Sequence, residues 1–211
     1  MIIEFFFDTV CPWCFIGKRR LEQVLVKRNN KNIKVSWCSL LLNPDLPPLG
    51  VKQESYLPNK YGTENGNYLI YDNLNDVGSS VNINFNFEII PSIPNTIDTH
   101  RLIHFASNEG KAEIALDSLF QSYFIEGRNI GETDELIAIA KKIDIDVQAF
   151  ADHLDSSNGI EEIFSSNTRA HSLGISGMPS FIFDKRLVIS GAQEPNILAK
   201  MIDAANTKVQ V

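Results

Sequence analysis

Apolar residues in this 211-residue chain fall into short runs at its two ends and helical stripes between them. Ile2-Ile3-Glu4-Phe5-Phe6-Phe7 is nearly continuous, the pattern of a short buried strand. Cys14, Gly17, Leu21, Val24 and Leu25 then recur at helical spacing, with Gly17 allowing close approach to a sheet. Ile33, Val35 and Trp37 alternate with Lys34, Ser36 and Cys38, which predicts a second strand. This β-α-β start implies parallel pairing through a crossover. Near the other end, Ser180–Phe183 and Leu187–Ser190 predict a hairpin about Asp184-Lys185-Arg186. Pro195 opens a last helix with Leu198, Met201, Ile202 and Ala205 on one face.

The middle of the chain reads differently. Residues 43 to 96 are rich in Asn, Pro and Gly, with turn signals at Pro47-Pro48, Asn65-Gly66 and Pro91-Ser92-Ile93-Pro94. Short helices are expected near 52–62 and 66–78. From 97 to 173 the pattern is helical. Ala112, Ala115, Leu116, Leu119, Phe120, Tyr123 and Phe124 form one stripe. Thr133 and Asp146 are expected as N-caps, Asn158 as a further helix start, and Gly174 as its stop. The order β-α-β, helices, β-β-α predicts an α/β protein: a thioredoxin fold interrupted by an inserted helical domain. Residues 1–42 and 174–211 are assigned to the first part and 43–173 to the insertion.

Within that pattern, Cys11-Pro12-Trp13-Cys14 lies where the first strand gives way to a helix. Such a pair can be a redox centre or half a metal site. A thiol at a helix N-terminus meets unpaired N–H groups and the helix dipole, which favour its thiolate. Cys11 is therefore the expected nucleophile. Cys14, one turn deeper, is expected to be less exposed, to keep a higher pKa and to resolve the mixed disulfide. Trp13 brings no positive charge, so the pair is expected to be less oxidising than the strongest periplasmic oxidants. Gly177-Met178-Pro179-Ser180, just before a strand, fits a cis-proline loop whose Met178 backbone would pair with an extended substrate. Expected substrate contacts are thus Pro12, Trp13, Met178 and Pro179.

Composition narrows the class further. A net charge of -7, with scattered Lys and Arg, argues against nucleic acid or an anionic membrane as partner. Lys18-Arg19-Arg20 reads as the solvated face of a helix. The chain starts on strand-like residues without a secretory pattern, and three cysteines are too few for a disulfide framework. A cytoplasmic location is expected, where a Cys-x-x-Cys pair is catalytic or metal-binding. Cys38 reads as a buried small hydrophobe. His100 and His104 lack the glutamate of a zinc-hydrolase motif and read as ordinary helix residues, so no metal is expected.

Asp8 through Glu22 resembles the active-site segment of the FrnE-like branch of DsbA-like thiol oxidoreductases. Asn95–Leu102, Tyr123–Gly131, Gly174–Phe181 and Ser190–Gln193 carry the resemblance through nearly the whole chain, most weakly over 43–90. It implies a thioredoxin fold with a helical insertion and protein disulfide exchange. Related members are the 2-hydroxychromene-2-carboxylate isomerases and kappa-class glutathione transferases, which bind glutathione. Met178 departs from the family, which more often has a smaller β-branched residue there. Neither Glu4 nor Asp8 falls at the spacing of thioredoxin's buried acid, leaving the proton acceptor for Cys14 unassigned.

Two enzymatic readings follow. The first is a DsbA-like thiol-disulfide oxidoreductase that requires no cofactor and acts on disulfide-bearing proteins or small thiols, with glutathione as a compatible redox partner. The second is a glutathione-dependent isomerase or transferase of an aromatic metabolite, which expects a deep apolar pocket between the domains. That branch usually carries a serine, so the cysteine pair counts against it. The oligomeric state is left open, a dimer included.

Overall fold

The computed structural model describes residues 1–29, 32–48, 50–56 and 64–207, with side chains of 64–69 left aside. Strand β1 (Ile2–Phe7) is central in a four-stranded sheet. On one side it pairs in parallel with β2 (Lys34–Ser39), Ile2 opposite Lys34 and Phe7 opposite Ser39. On the other it pairs antiparallel with β5 (Ser180–Phe183), Phe5 opposite Phe181. β5 continues into β6 (Leu187–Ser190) through the expected hairpin, giving the order β2-β1-β5-β6. The parallel pair needs a crossover, and α1 (Pro12–Arg28) supplies it.

Both faces of β1 are covered, which is why its sequence is almost unbroken in apolar residues. Phe5 and Phe7 pack with Phe181, α1 and α8 (Pro195–Asn206). Phe6 and Ile182 point the other way, onto Ala170 of α7 (Ile160–Ser172).

Between β2 and β5 the chain forms a two-residue ladder of β3 (Val51–Lys52) with β4 (Ser92–Ile93), then helix α2 (Glu64–Ser79) inside that loop. The ladder is too short to leave an alternating pattern and was not expected. Residues 53–56 are helical, while the rest of the helix expected near 52–62 lies outside the described residues. Helices α3 (Ile97–Ser107), α4 (Ala112–Phe120), α5 (Thr133–Lys142) and α6 (Val147–Asp155) follow before α7. The Ala112–Phe124 stripe is buried throughout and runs from α4 into a π-helical turn, Gln121–Ile125. One hydrophobic cluster joins these helices to the β1–α1 face of the sheet.

Three local readings change. Thr133 is the first helical residue rather than the cap, because the turn closed by Gly131 N–H on Asn129 Oδ1 brings Glu132 to that position. Asp146 caps α6 through Ala149 N–H at 3.0 Å, as expected, but α7 starts after Gly159, whose φ is 83°. The basic stretch is not a solvated face: Lys18 is fully buried and Arg20 nearly so. Lys18 Nζ pairs with Glu22, with Asp117 at 2.9 Å and with Glu113 at 3.5 Å, tying α1 to α4. Arg20 pairs with Glu194 at 2.6 Å, tying α1 to the start of α8. Lys18 and Arg20 fold inward because acidic partners on α4 and at the start of α8 meet them there.

Candidate active site

The turn Asp8–Val10 delivers Cys11 to the N-cap of α1. Its N–H donates to Asp8 O at 3.2 Å, and its C=O accepts from Cys14 N–H at 3.0 Å and Phe15 N–H at 3.3 Å. Pro12 occupies the first helical position, where no N–H is missed. Both thiols are free. Cys11 is 5% exposed and Cys14 is wholly buried. Burial pushes the Cys14 thiol well above its ordinary pKa, helped by the hydrogen bond and the charge of Cys11; a backbone hydrogen bond from Asp8 opposes this, and the Asp8 charge adds to it.

The second half of the site arrives from the far end of the chain. Helix α7 stops at Gly174, in the left-handed region at φ 74°, and Ile175 N–H closes back on Ala170 O at 3.1 Å. The Met178–Pro179 peptide that follows is cis. Ser180 Oγ donates to Gly177 O at 2.7 Å and meets Ser190 Oγ at 2.6 Å, while Gly191 N–H donates to Pro179 O at 2.7 Å. Gly191 thus fastens this loop, whereas Asn129–Gly131 is a structural turn. Pro179 lies against Gly17 of α1, and Met178, Cys11 and Trp13 line one cavity of about 280 Å³. The six residues expected to form the site are therefore gathered at one place.

Sequence reasoning missed three residues behind it. Asp8 is fully buried; its Oδ2 accepts from Leu42 N–H at 2.7 Å, and its Oδ1 lies 3.6 Å from His100 Nε2. That nitrogen is buried and has no hydrogen-bond partner among the described residues. Thr9 Oγ1 meets Thr99 Oγ1 at 2.8 Å, locking the turn to α3. His100 is consequently not an ordinary helix residue: it packs on Phe7 and faces the buried carboxylate. The signal was available, since Asp8 and His100 each stand in a segment that carries the family resemblance. Cys38 is half-buried at the sheet's edge strand, and burial, with Glu4 adding, pushes its thiol up to about 11. It is a poor nucleophile at neutral pH.

The chain belongs to the DSBA-like thioredoxin domain family, which matches residues 2–203. It is 26% identical to the uncharacterised protein YwbO of Bacillus subtilis (strain 168) over 208 residues, 98% of each chain. It superposes on a probable DsbA oxidoreductase from Streptomyces coelicolor with a TM-score of 0.90 and 25% identity, covering 100% of this chain and 93% of that one. A 2-hydroxychromene-2-carboxylate isomerase shares the fold at a TM-score of 0.71 and 16% identity, covering 97% and 95%. Among the described residues, no helix is long and apolar enough to cross a membrane.

Proposed function

We propose that the protein is a thiol-disulfide oxidoreductase working through the Cys11-Pro12-Trp13-Cys14 centre. The observation that carries this reading is the meeting of two distant segments: a cysteine at the N-cap of α1 and a cis-proline loop seated on the same helix at Gly17. The Cys11 thiolate attacks one sulfur of a substrate disulfide, forming a mixed disulfide and expelling the other sulfur as a thiolate. Cys14 then loses its proton and attacks Cys11, releasing the second substrate thiol and leaving the Cys11–Cys14 disulfide. Run backwards, the same steps oxidise a dithiol; reduction potential and compartment set the direction.

Cys14 needs somewhere to send its proton, because burial holds it as a thiol. Asp8 is the buried carboxylate at hand, and His100 stands behind it. We assign Asp8 as the acceptor. Trp13 and Met178–Pro179 hold the partner, no metal or organic cofactor takes part, and the cytoplasm is the proposed setting, with glutathione as a compatible electron source.

Cys11→Ser is expected to abolish disulfide exchange, and Cys14→Ser to accumulate a mixed disulfide visible by mass spectrometry. Full exchange activity in Cys11→Ser would end the assignment. The apolar cavity beside Cys11 also suits a glutathione-dependent isomerase or transferase. Cys14 separates the two, since only that second activity survives its loss.

A further inference from the structure

The cavity at Cys11 carries information about what reaches the sulfur. Cys11 is only 5% exposed, and its side chain lines this cavity together with Val10, Trp13 and Met178. A small, slender disulfide can enter it whole. At about 280 Å³ the cavity has room for two rings, given that about 150 Å³ holds one benzene.

The walls say more. Aromatic rings share the lining with Cys11, and Tyr71 and Phe87 are stacked face to face at 4.3 Å and 7°. Flat apolar walls favour a flat apolar occupant. None of the described lining residues carries a charge. Among the polar groups of the lining, Tyr56 Oη donates to Asn43 Oδ1 at 2.7 Å, and Gln53 Nε2 donates to Tyr71 Oη at 3.2 Å. A carboxylate brought against the described lining residues would lose its water without gaining a cation from them.

Building on the oxidoreductase reading, we propose that the cavity binds a small, uncharged aromatic disulfide as substrate. The Cys11 thiolate attacks the ligand sulfur that enters first, and the ligand's S–S bond breaks. An aryl thiolate leaves and takes up a proton. Cys14 then displaces the second aryl thiol from Cys11, so the ligand gains two electrons and the cysteine pair loses them. An external dithiol restores the pair for the next turnover.

The test compares the reduced full-length protein on two reactive two-ring disulfides, neutral 4,4′-dithiodipyridine and doubly anionic 5,5′-dithiobis(2-nitrobenzoate), by stopped flow. Each rate is divided by that of 2-mercaptoethanol with the same disulfide, and 2-hydroxyethyl disulfide serves as a small non-aromatic control. The expected result is a normalised preference for the neutral aromatic disulfide of about tenfold or more, saturating with its concentration. Ile70→Lys, which places a cation in the wall, is expected to shrink that ratio toward one. Equal normalised rates in the wild type, or a preference for the anion, overturn the cavity proposal while leaving the oxidoreductase reading standing. Rates no faster than the free thiol on all three disulfides overturn both.

Discussion

Gly17 and Pro179 are so close that a Cβ on residue 17 would lie 2.7 Å from Pro179 Cγ and 3.4 Å from its Cβ. Real side chains do not tolerate the shorter contact, and the proline ring cannot swing aside. Gly17 is one turn beyond Cys14, so this contact sets how near the cis-proline loop comes to the cysteine pair. Gly17→Ala is expected to push the loop outward. The fold should survive at a cost of about 1–3 kcal/mol, but exchange should slow by about tenfold to a hundredfold. Stopped-flow measurement of mixed-disulfide formation checks this, with iodoacetamide alkylation of Cys11 as the control for simple thiol reactivity. An exchange rate equal to wild type would show that the loop's position does not matter.

Asp8 offers a sharper test because its two effects oppose each other. The Cys14 thiol is raised chiefly by burial and next by Cys11, with the Asp8 charge adding to both. Asp8→Asn removes that charge while its amide oxygen can still accept from Leu42 N–H. In a Cys11→Ser background, the pH midpoint for alkylating Cys14 is therefore expected to fall. If Asp8 takes the Cys14 proton during turnover, resolution of a preformed mixed disulfide at neutral pH should nonetheless slow, by about tenfold or more. A lower midpoint with unchanged resolution would remove Asp8 from the proton path.

The raised Cys14 thiol also predicts how stability varies with pH. A thiol whose folded pKa exceeds its ordinary value of 9.0 favours the folded state while it remains protonated. That contribution is complete below about pH 9 and is lost as pH rises through the folded pKa. Thermal unfolding of the reduced wild type against Cys14→Ala isolates it, because Cys11 is present in both. Any advantage of the wild type at pH 7 is expected to shrink steadily above pH 9. A gap constant between pH 7 and pH 10 would contradict the burial of Cys14 as a neutral thiol.

What was legible beforehand depended on whether a signal was local. β1, α1, the 180–190 hairpin and α8 were readable because apolar spacing alone defines them. Cys11 and Cys14 were readable because strand, turn and helix follow within a few residues. Met178–Pro179 required combining two segments, each of which had its own motif. The β3–β4 ladder left no trace, since two residues cannot show a period. Asp8 was dismissed on its spacing to the cysteines, although what matters is that Leu42 N–H and His100 come to it from other elements. Lys18 failed for the same reason. Its partner Asp117 is on α4, ninety-nine residues away, and no pattern within α1 announces it.

Lys18 gives the last prediction. Its Nζ is buried among Glu22, Asp117 and Glu113, and it lies 5.5 Å from the Trp37 ring centre. Burial raises the Glu22 carboxyl, but Lys18 and then Arg19 more than reverse this, leaving it below its ordinary value of 4.5. Lys18→Met keeps the stem and removes the charge, so Glu22 and Asp117 face each other with less compensation. Both carboxylates are partly open to water, which limits the cost to about 2 kcal/mol, or a fall in Tm of about 4–8 °C for a chain of this size. A carboxyl depressed in the folded state contributes stability above its unfolded pKa and loses it as pH falls through the folded one. The gap between wild type and Lys18→Met should thus be full at pH 7 and close below about pH 4.5. Circular dichroism melts at pH 7, 5 and 3.5 decide it: a gap that persists unchanged at pH 3.5 would mean that packing of the lysine stem, rather than its charge, joins α1 to α4.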